Sequence, residues 1–201
     1  MKPIFIGITG GSGAGKSTLA FGLLDKYPEK IGILHFDDYH KKRELLPVFQ
    51  GKPNADHPGA IELDTLVKDL EKLKNGEPVY VFTKSERYNP KFQETKVRNP
   101  LTVNPKQIML LEGFMVLHDT RVRALLDYSI YLDAEHTQRY SRRAKPHLKS
   151  PEYEQGILIP MHNKYVEPTK KLAKVVIDVS HLSKEEVLEH VEKLLKAEHY
   201  L

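Results

Sequence analysis

Short apolar runs alternate with amphipathic helical patterns along most of the chain. Apolar runs span residues 3–9, 31–36, 108–111, 128–132 and 175–179. Runs of this length, bounded by turn residues, are typical of strands buried on both faces of a sheet. Because helical segments separate most of them, they predict an α/β fold with a largely parallel sheet.

Two helices have the clearest signals. Leucines recur on one face of a helix that begins near residue 63 and ends at Asn75-Gly76. The last helix starts with the capping-box pattern Ser183-x-x-Glu186. In an α/β fold, ligands bind beyond the carboxyl ends of the parallel strands. We therefore look for the functional site in the segments that follow the strands.

Residues 78–104 have a different pattern. Short apolar stretches lie among turn residues such as Asn89-Pro90, which predicts an antiparallel hairpin, called the flap below. Tyr80 and Phe82 are two positions apart, so a strand places them on the same face. We expect them to be able to stack on a base.

A glycine-rich sequence between the first strand and the first helix matches GxxxxGK[ST] in full. The predicted nucleotide-binding residues are Gly10, Gly11, Ser12, Gly13, Ala14, Gly15, Lys16, Ser17 and Thr18. Backbone N–H groups of such a loop and the helix N-terminus bind phosphate. Lys16 would contact the β- and γ-phosphates, and the Ser17 hydroxyl would bind Mg²⁺. The motif predicts a nucleoside triphosphate with Mg²⁺; the alternative is a glycine-rich turn without a ligand.

Carboxylates follow two of the other strands. Asp37 and Asp38 come after the 31–36 run, and Glu112 comes after the 108–111 run. One of the two aspartates suits a general base, and we favour Asp37; Asp38 could instead cap the next turn. Glu112 could hold the metal's water shell or the acceptor, or could cap a helix. The predicted metal ligands are Ser17, Asp37 and Glu112.

A basic stretch follows the fourth strand, and no acidic residue lies between residues 137 and 151. Its members are Arg139, Arg142, Arg143, Lys145 and Lys149. A solvated charged face is one interpretation. The prolines that follow instead favour a loop at a helix end, and so a closing lid over residues 139–160 whose arginines neutralise phosphate charge. Arg142 and Arg143 are predicted to act in catalysis, and Arg139 to contact the substrate.

Composition excludes several classes of protein. The 201 residues include no cysteine, so disulfides, thiol nucleophiles and cysteine-ligated metals are excluded. No apolar run is long enough to span a bilayer. A guanine-recognising [NT]KxD motif is absent, and the net charge of +4 suits an anionic ligand better than DNA. We expect a small cytoplasmic phosphotransferase with neither nucleic-acid nor membrane partners.

The chain resembles the uridine kinase family of P-loop kinases nearly from end to end. The similarity lies in GITGGSGAGKST, HFDDYHK, ADHPGAIELDTL, LKNGEPVYVFTKSER, IMLLEGF, YLDAEHTQRYSRR and EPTKKLAKVVID. It implies a five-stranded parallel sheet flanked by helices, in one domain over residues 1–201, and homo-oligomers. It also assigns Asp37 as the base, Asp56 to the ribose hydroxyls, and Tyr80 and Phe82 to the base pocket. Arg87, Glu112 and Arg139 are expected at the substrate.

Two features depart from that family. Ser85 stands where the flap of uridine and cytidine kinases carries a histidine, and the segment around Ser150-Pro151-Glu152-Tyr153 is similar to nicotinamide riboside kinases. We expect ATP- and Mg²⁺-dependent phosphorylation of a nucleoside 5′-hydroxyl, with uridine or cytidine as the acceptor. The alternatives are a nicotinamide riboside kinase or other metabolite kinase, and a nucleotide-binding regulatory protein without transferase activity.

Overall fold

The computed structural model describes residues 2–143 and 151–201. Its strands are β1 (Ile4–Gly10), β2 (Ile31–His35), β3 (Val48–Phe49), β4 (Lys52–Pro53), β5 (Val79–Thr83), β6 (Asn99–Val103), β7 (Ile108–Glu112), β8 (Tyr128–Asp133) and β9 (Val175–Asp178). Five of them form a parallel sheet in the order β2-β7-β1-β8-β9. This confirms the predicted α/β fold and the five-stranded sheet.

Helices surround this sheet. They are α1 (Lys16–Lys26), α2 (Leu63–Lys74), α3 (Phe92–Thr95), α4 (Thr120–Leu125), α5 (His136–Arg142), α6 (Pro151–Tyr153), α7 (Ile159–Met161) and α8 (Lys184–Ala197). Turns of 3-10 helix cover Phe36–Tyr39, Arg43–Leu45, Pro58–Ala60 and Glu167–Leu172, and π-helical turns cover Glu154–Leu158 and His162–Val166. Within the described residues, no helix combines the length and apolar character that crossing a bilayer requires.

A separate apolar core covers each face of the sheet. Alternate residues of β1 point to opposite faces, so Phe5 packs in one core while Ile6 and Ile8 pack in the other. The first core includes Leu66 and Leu70 of α2, and the second includes residues of α1 and α8. Burial on both faces explains why the sheet strands are continuous apolar runs rather than alternating patterns.

The flap is an antiparallel hairpin of β5 and β6, as predicted, with Val79 opposite Val103 and Thr83 opposite Asn99. Val79, Val81 and Thr83 are buried. The intervening residues Tyr80 and Phe82 face outward and are 77% and 63% exposed.

The lid is described in part. Helix α5 ends at Arg142, and a series of short helical turns begins again at Pro151. Residues 144–150, with the predicted basic residues Lys145 and Lys149, lie outside the described residues. Each described part of the lid is mostly helical, as the prediction of a helical lid requires.

Candidate active site

The phosphate-binding loop joins β1 to α1. Gly10, Gly13 and Gly15 have positive φ values of 141°, 87° and 91°, a region that residues with a Cβ rarely adopt. Gly11 is needed for a different reason: a Cβ there would lie 2.1 Å from Nη1 of Arg139. A Cβ on Gly13 would lie 2.2 Å from the Arg139 carbonyl oxygen, so the loop packs closely against both the guanidinium and the backbone of Arg139.

Lys16 and its neighbour Ser17 begin helix α1. The Lys16 ammonium donates a hydrogen bond to the Gly11 carbonyl, at 3.0 Å. Burial lowers the pKa of Lys16, and the charges of Glu112 and Asp37 oppose this shift. Lys16 thus lies within electrostatic reach of two of the predicted carboxylates.

Glu112, the last residue of β7, contacts residues of both β2 and α1. It can reach both because β7 lies between β2 and β1, the strand that leads into the phosphate loop and α1. One of its carboxylate oxygens accepts a hydrogen bond from the Ser17 hydroxyl at 3.2 Å, and the other lies 2.6 Å from Nδ1 of His35. Burial opposes a charge on His35, but the hydrogen bond and charge of Glu112 outweigh it and raise the His35 pKa. From the sequence, His35 is expected to be an ordinary satisfied or exposed histidine that flanks the site, and the structure shows that its partner is Glu112.

Asp37 lies on the 3-10 turn Phe36–Tyr39 that follows β2. Its Oδ1 is buried and has no hydrogen-bond partner among the described residues, and its Oδ2 lies 3.7 Å from the Lys84 ammonium. Burial acts to raise the pKa of Asp37, but the charges of Lys84, His40 and Lys16 outweigh it and hold the pKa well below the usual range. The lowered pKa favours the carboxylate form of Asp37, and its Oδ1 has no hydrogen-bond partner among the described residues.

The adjacent Asp38 has a different environment. It is only 7% exposed, and its Oδ1 accepts a hydrogen bond from the Lys84 backbone N–H at 2.9 Å. Burial raises the pKa of Asp38. These contacts make Asp38 an attachment point for the flap, and they leave Asp37 as the better base of the pair.

Asp56 lies opposite the lid. Its carboxylate accepts a hydrogen bond from the Tyr153 hydroxyl, and burial raises its pKa. A cavity of about 10 Å³ lies between the phosphate loop, Asp56 and the lid. Its walls include Ser12, Asp56, Phe114, Arg139, Leu158 and Met161. The cavity has room for about one water molecule, so a larger acceptor requires the lid to move.

The three predicted lid arginines have separate partners. Arg139 is buried beside the phosphate loop, where its Nε donates to the Ala134 carbonyl at 3.1 Å. Arg143 donates to Glu154 across a buried 3.0 Å ion pair. Arg142 donates to the carbonyls of Val179 and Ser180 after β9, so its guanidinium binds the chain there and not the phosphate loop. The structure thus brings Arg139 to the site and leaves Arg142 outside it.

Three flap residues are predicted to contact the acceptor substrate. Among the described residues, none of the three contacts Asp37 or Asp56. Arg87 pairs with Asp25 of α1 at 2.5 Å and packs over the Phe21 ring. Tyr80 and Phe82 lie on the outer face of β5, because the register that buries Val81 turns them to solvent. Their roles at the acceptor stay predictions.

Two flap residues that sequence reasoning missed do contact the turn Phe36–Tyr39, which carries Asp37 and is called the base turn below. They are Lys84, beside the Asp37 carboxylate, and Arg98, which donates to two carbonyls of the turn. His40 lies between this turn and the Asp56 loop, with its ring nitrogens 2.9 Å from the Asp37 carbonyl and 3.0 Å from the Ala55 carbonyl. Lys84 and His40 lie inside two of the segments that resemble the family, but those segments give no contact partners. The proximity of Lys84 and Arg98 to the turn depends on how the flap packs against it.

The oxygen donors at the phosphate loop fit Mg²⁺. Ser17 and Glu112 present a hydroxyl and a carboxylate 3.2 Å apart. In the part of the chain that the structure describes, no group of three His, Asp or Glu side chains is arranged to hold a metal. Mg²⁺ is usually bound by one or two protein oxygens together with substrate phosphates and water, and the Ser17 hydroxyl and the Glu112 carboxylate are oxygens of that kind.

Comparisons with known proteins place the fold and the motifs in context. Residues 5–184 match the family described as Phosphoribulokinase / Uridine kinase. A uridine kinase from Streptococcus gordonii is 32% identical over 97% of both chains, and one from Clostridium perfringens is 36% identical over 88% of this chain and 87% of the relative. A possible uridine kinase from Bacillus stearothermophilus shares the fold at a TM-score of 0.65 and 21% identity, covering 89% of this chain and 90% of the other. Shikimate kinase from Acinetobacter baumannii does so at 0.55 and 14%, covering 98% and 94%.

Proposed function

The chain belongs to the phosphoribulokinase/uridine kinase family, and on that premise we propose that it transfers the γ-phosphoryl group of ATP to the 5′-hydroxyl of a nucleoside, uridine or cytidine. The observation that carries the proposal is the Asp37 carboxylate: it is ionised, has a buried oxygen without a hydrogen-bond partner among the described residues, and interacts electrostatically with Lys16 of the phosphate loop. Relatives named uridine kinase, which match nearly the whole chain, support the choice of acceptor.

The residues support a direct transfer. The acceptor hydroxyl would bind Asp37 Oδ1, which takes its proton as the hydroxyl oxygen forms a bond to the γ-phosphorus. The bond from that phosphorus to the β–γ bridging oxygen breaks, and ADP leaves with the electron pair. Lys16 and Arg139 would stabilise the charge on the phosphoryl oxygens.

Ser17 and Glu112 would hold Mg²⁺ at the phosphates. When bound, Mg²⁺ neutralises charge on the β- and γ-phosphate oxygens. Glu112 is itself held by His35, so its carboxylate has a defined position before any ligand arrives. Asp37 was also predicted as a metal ligand; its place beside Lys84 favours the role of base instead.

Asp56 would bind the ribose hydroxyls. It is a half-buried carboxylate next to the cavity and already accepts a hydrogen bond from the Tyr153 hydroxyl. A ribose diol offers the same kind of donor. The exchange of Tyr153 for the sugar would accompany movement of the lid.

The alternative candidate for the acceptor is nicotinamide riboside or another small metabolite. Two features favour it: the flap carries Ser85 and not a histidine, and the lid contributes Leu158 and Met161 to the cavity beside Asp56. In that case the base contacts would come from the lid more than from the flap. A regulatory protein without transferase activity is less well supported, because Lys16, Asp37 and Glu112 are all present.

The test is ADP release with Mg·ATP and each of six acceptors: uridine, cytidine, adenosine, nicotinamide riboside, ribulose 5-phosphate and pantothenate. Turnover with uridine or cytidine is the expected result. Turnover with nicotinamide riboside alone would identify nicotinamide riboside, and not uridine or cytidine, as the acceptor. No ADP release with any of the six acceptors would contradict the proposal.

The D37N variant is the control for the chemistry in this assay. The amide that replaces the carboxylate keeps the shape of the side chain but cannot accept the proton, so kcat should fall roughly 10²- to 10⁴-fold. ATP binding, measured by calorimetry, should be retained. Wild-type turnover in D37N would exclude Asp37 as the base.

A further inference from the structure

The flap is bonded directly to the turn that carries Asp37. Arg98, which precedes β6, donates from Nη1 to the Asp38 carbonyl at 2.9 Å and from Nη2 to the His40 carbonyl at 3.0 Å. The two acceptors lie on either side of Tyr39, at the end of the 3-10 turn. A single planar guanidinium therefore fixes the directions of two carbonyls at the end of this turn.

A second bond attaches the same end of the flap. The Lys84 N–H donates to Asp38 Oδ1 at 2.9 Å. Lys84 follows Thr83 and Arg98 precedes Asn99, and Thr83 and Asn99 are paired across the hairpin. The two attachments thus start from adjacent positions on both strands of the flap, so the hairpin end and the aspartate turn are held together as a unit.

The turn is held on its other side by α2 and the residue before it, since the Tyr39 carbonyl accepts from the Glu62 N–H and the Tyr39 hydroxyl donates to Asp69, both at 2.8 Å. The flap supplies the contacts nearest to the two aspartates. The turn Phe36–Tyr39 is four residues long, and Asp37 projects from it with one oxygen lacking a hydrogen-bond partner in the described chain. Hydrogen bonds from a guanidinium are charge-assisted, and their planar fork fixes direction as well as distance. Removing that fork would take two directional contacts from the turn, while the contacts of Tyr39 with Glu62 and Asp69 keep it folded.

We infer that Arg98 is a positioning residue for the reaction, through which the flap sets the place of the Asp37 carboxylate relative to the phosphate loop. The inference rests on the proposed function for the role of Asp37 as base. The hydrogen bonds of Arg98 in the described structure go to the backbone of the base turn, so its loss should alter the chemical step and leave ATP binding unchanged.

The test compares R98M, which keeps the unbranched aliphatic part of the side chain but removes every donor, with R98K and R121M. Because a displacement of about 1 Å at a reacting group can cost roughly 100-fold in rate, R98M should lose roughly 10- to 100-fold in kcat with an unchanged KM for ATP. R98K, with one ammonium in place of the fork, should lie between R98M and the wild type. Arg121 pairs with Asp64 and Asp119 on the surface, so R121M should behave as the wild type.

Hydrogen exchange provides a readout that needs no acceptor. The backbone amides of residues 37–40 should exchange faster in R98M than in the wild type and R121M, with melting temperatures measured in parallel. Wild-type kcat and exchange in R98M would overturn the inference, as would a rate loss that merely follows a loss of folded protein. If the wild type phosphorylates no nucleoside, the proposed function fails, and the exchange data alone decide whether Arg98 holds the turn.

Discussion

At the scale of single residues, the adjacent aspartates Asp37 and Asp38 have pKa shifts in opposite directions. Burial dominates at Asp38 and raises its pKa, whereas the charges of Lys84, His40 and Lys16 outweigh burial at Asp37 and lower its pKa. The sequence DD leaves both residues open as the base. The fold distinguishes them, because it directs Asp38 to the flap backbone and Asp37 to the phosphate loop.

The K84M variant tests this electrostatic effect. Without the Lys84 ammonium, 3.7 Å away, the pKa of Asp37 should rise, so the carboxylate is protonated at a higher pH than in the wild type. The acid limb of the kcat/KM profile should therefore begin at a higher pH in K84M than in the wild type, which is measured from neutral pH down to the lowest pH at which each protein stays folded. K91M, at an exposed residue of the same flap, is the control; a common acid limb for all three proteins would contradict the effect.

At the scale of elements, the local signals act as expected. The capping box at α8 is present in both directions: the Glu186 N–H donates to the Ser183 hydroxyl at 3.1 Å, and the Ser183 N–H donates to the Glu186 carboxylate at 2.8 Å. The helix packs through Val191 and Leu195 into the core that it shares with α1. Local capping and apolar periodicity agree here, which is why the sequence predicted this helix and its start.

The S183A variant should destabilise the protein by about 1 kcal/mol, because the Glu186 N–H at the start of α8 loses its side-chain acceptor and the reciprocal capping box is broken. For a chain of this size that corresponds to a fall of about 2–4 °C in melting temperature. Calorimetry of E189A, which removes an exposed carboxylate from the middle of the same helix, provides the matched control. Equal melting temperatures for S183A and the wild type would show that the cap contributes nothing.

At the scale of the whole molecule, three successive lid residues fix the lid: two contact other parts of the chain and the third closes an ion pair within the lid. Glu152 lies 3.5 Å from Lys52 of β4, Tyr153 donates to Asp56, and Glu154 pairs with Arg143 at 3.0 Å. The cavity behind them is about 10 Å³. If the acceptor binds beside Asp56, as proposed, its entry must break some of these contacts.

The Y153F variant should bind the acceptor more easily, because the lid no longer competes for Asp56. A hydrogen bond to a charged group contributes about 1.5–3 kcal/mol, so KM for the acceptor should fall by about tenfold or more. Steady-state kinetics with saturating ATP measure this. Y200F, whose ring packs on Tyr128 near the C-terminus, is the control. An unchanged or higher KM in Y153F would show that the contact does not compete with the acceptor.

The lid arginines show how far a local pattern can predict. A basic stretch indicated arginines directed at phosphate, yet Arg139, Arg142 and Arg143 bind three separate parts of the chain. Spacing along a helix gives only which residues share a face. The partners of each guanidinium depend on elements distant in sequence, such as the end of β9 and the turn at Glu154.

Local information in the chain was enough to predict the sheet, the phosphate loop and the carboxylates at the ends of β2 and β7, because these depend on apolar periodicity, glycine backbone geometry and residues close together in sequence. The folded structure was needed to show that His35 holds Glu112, that Lys84 and Arg98 of the flap hold the Asp37 turn, and that Tyr80 and Phe82 face solvent. Those facts follow from strand order and from the direction in which the hairpin packs. Long-range packing sets both, and no local pattern in the sequence encodes either.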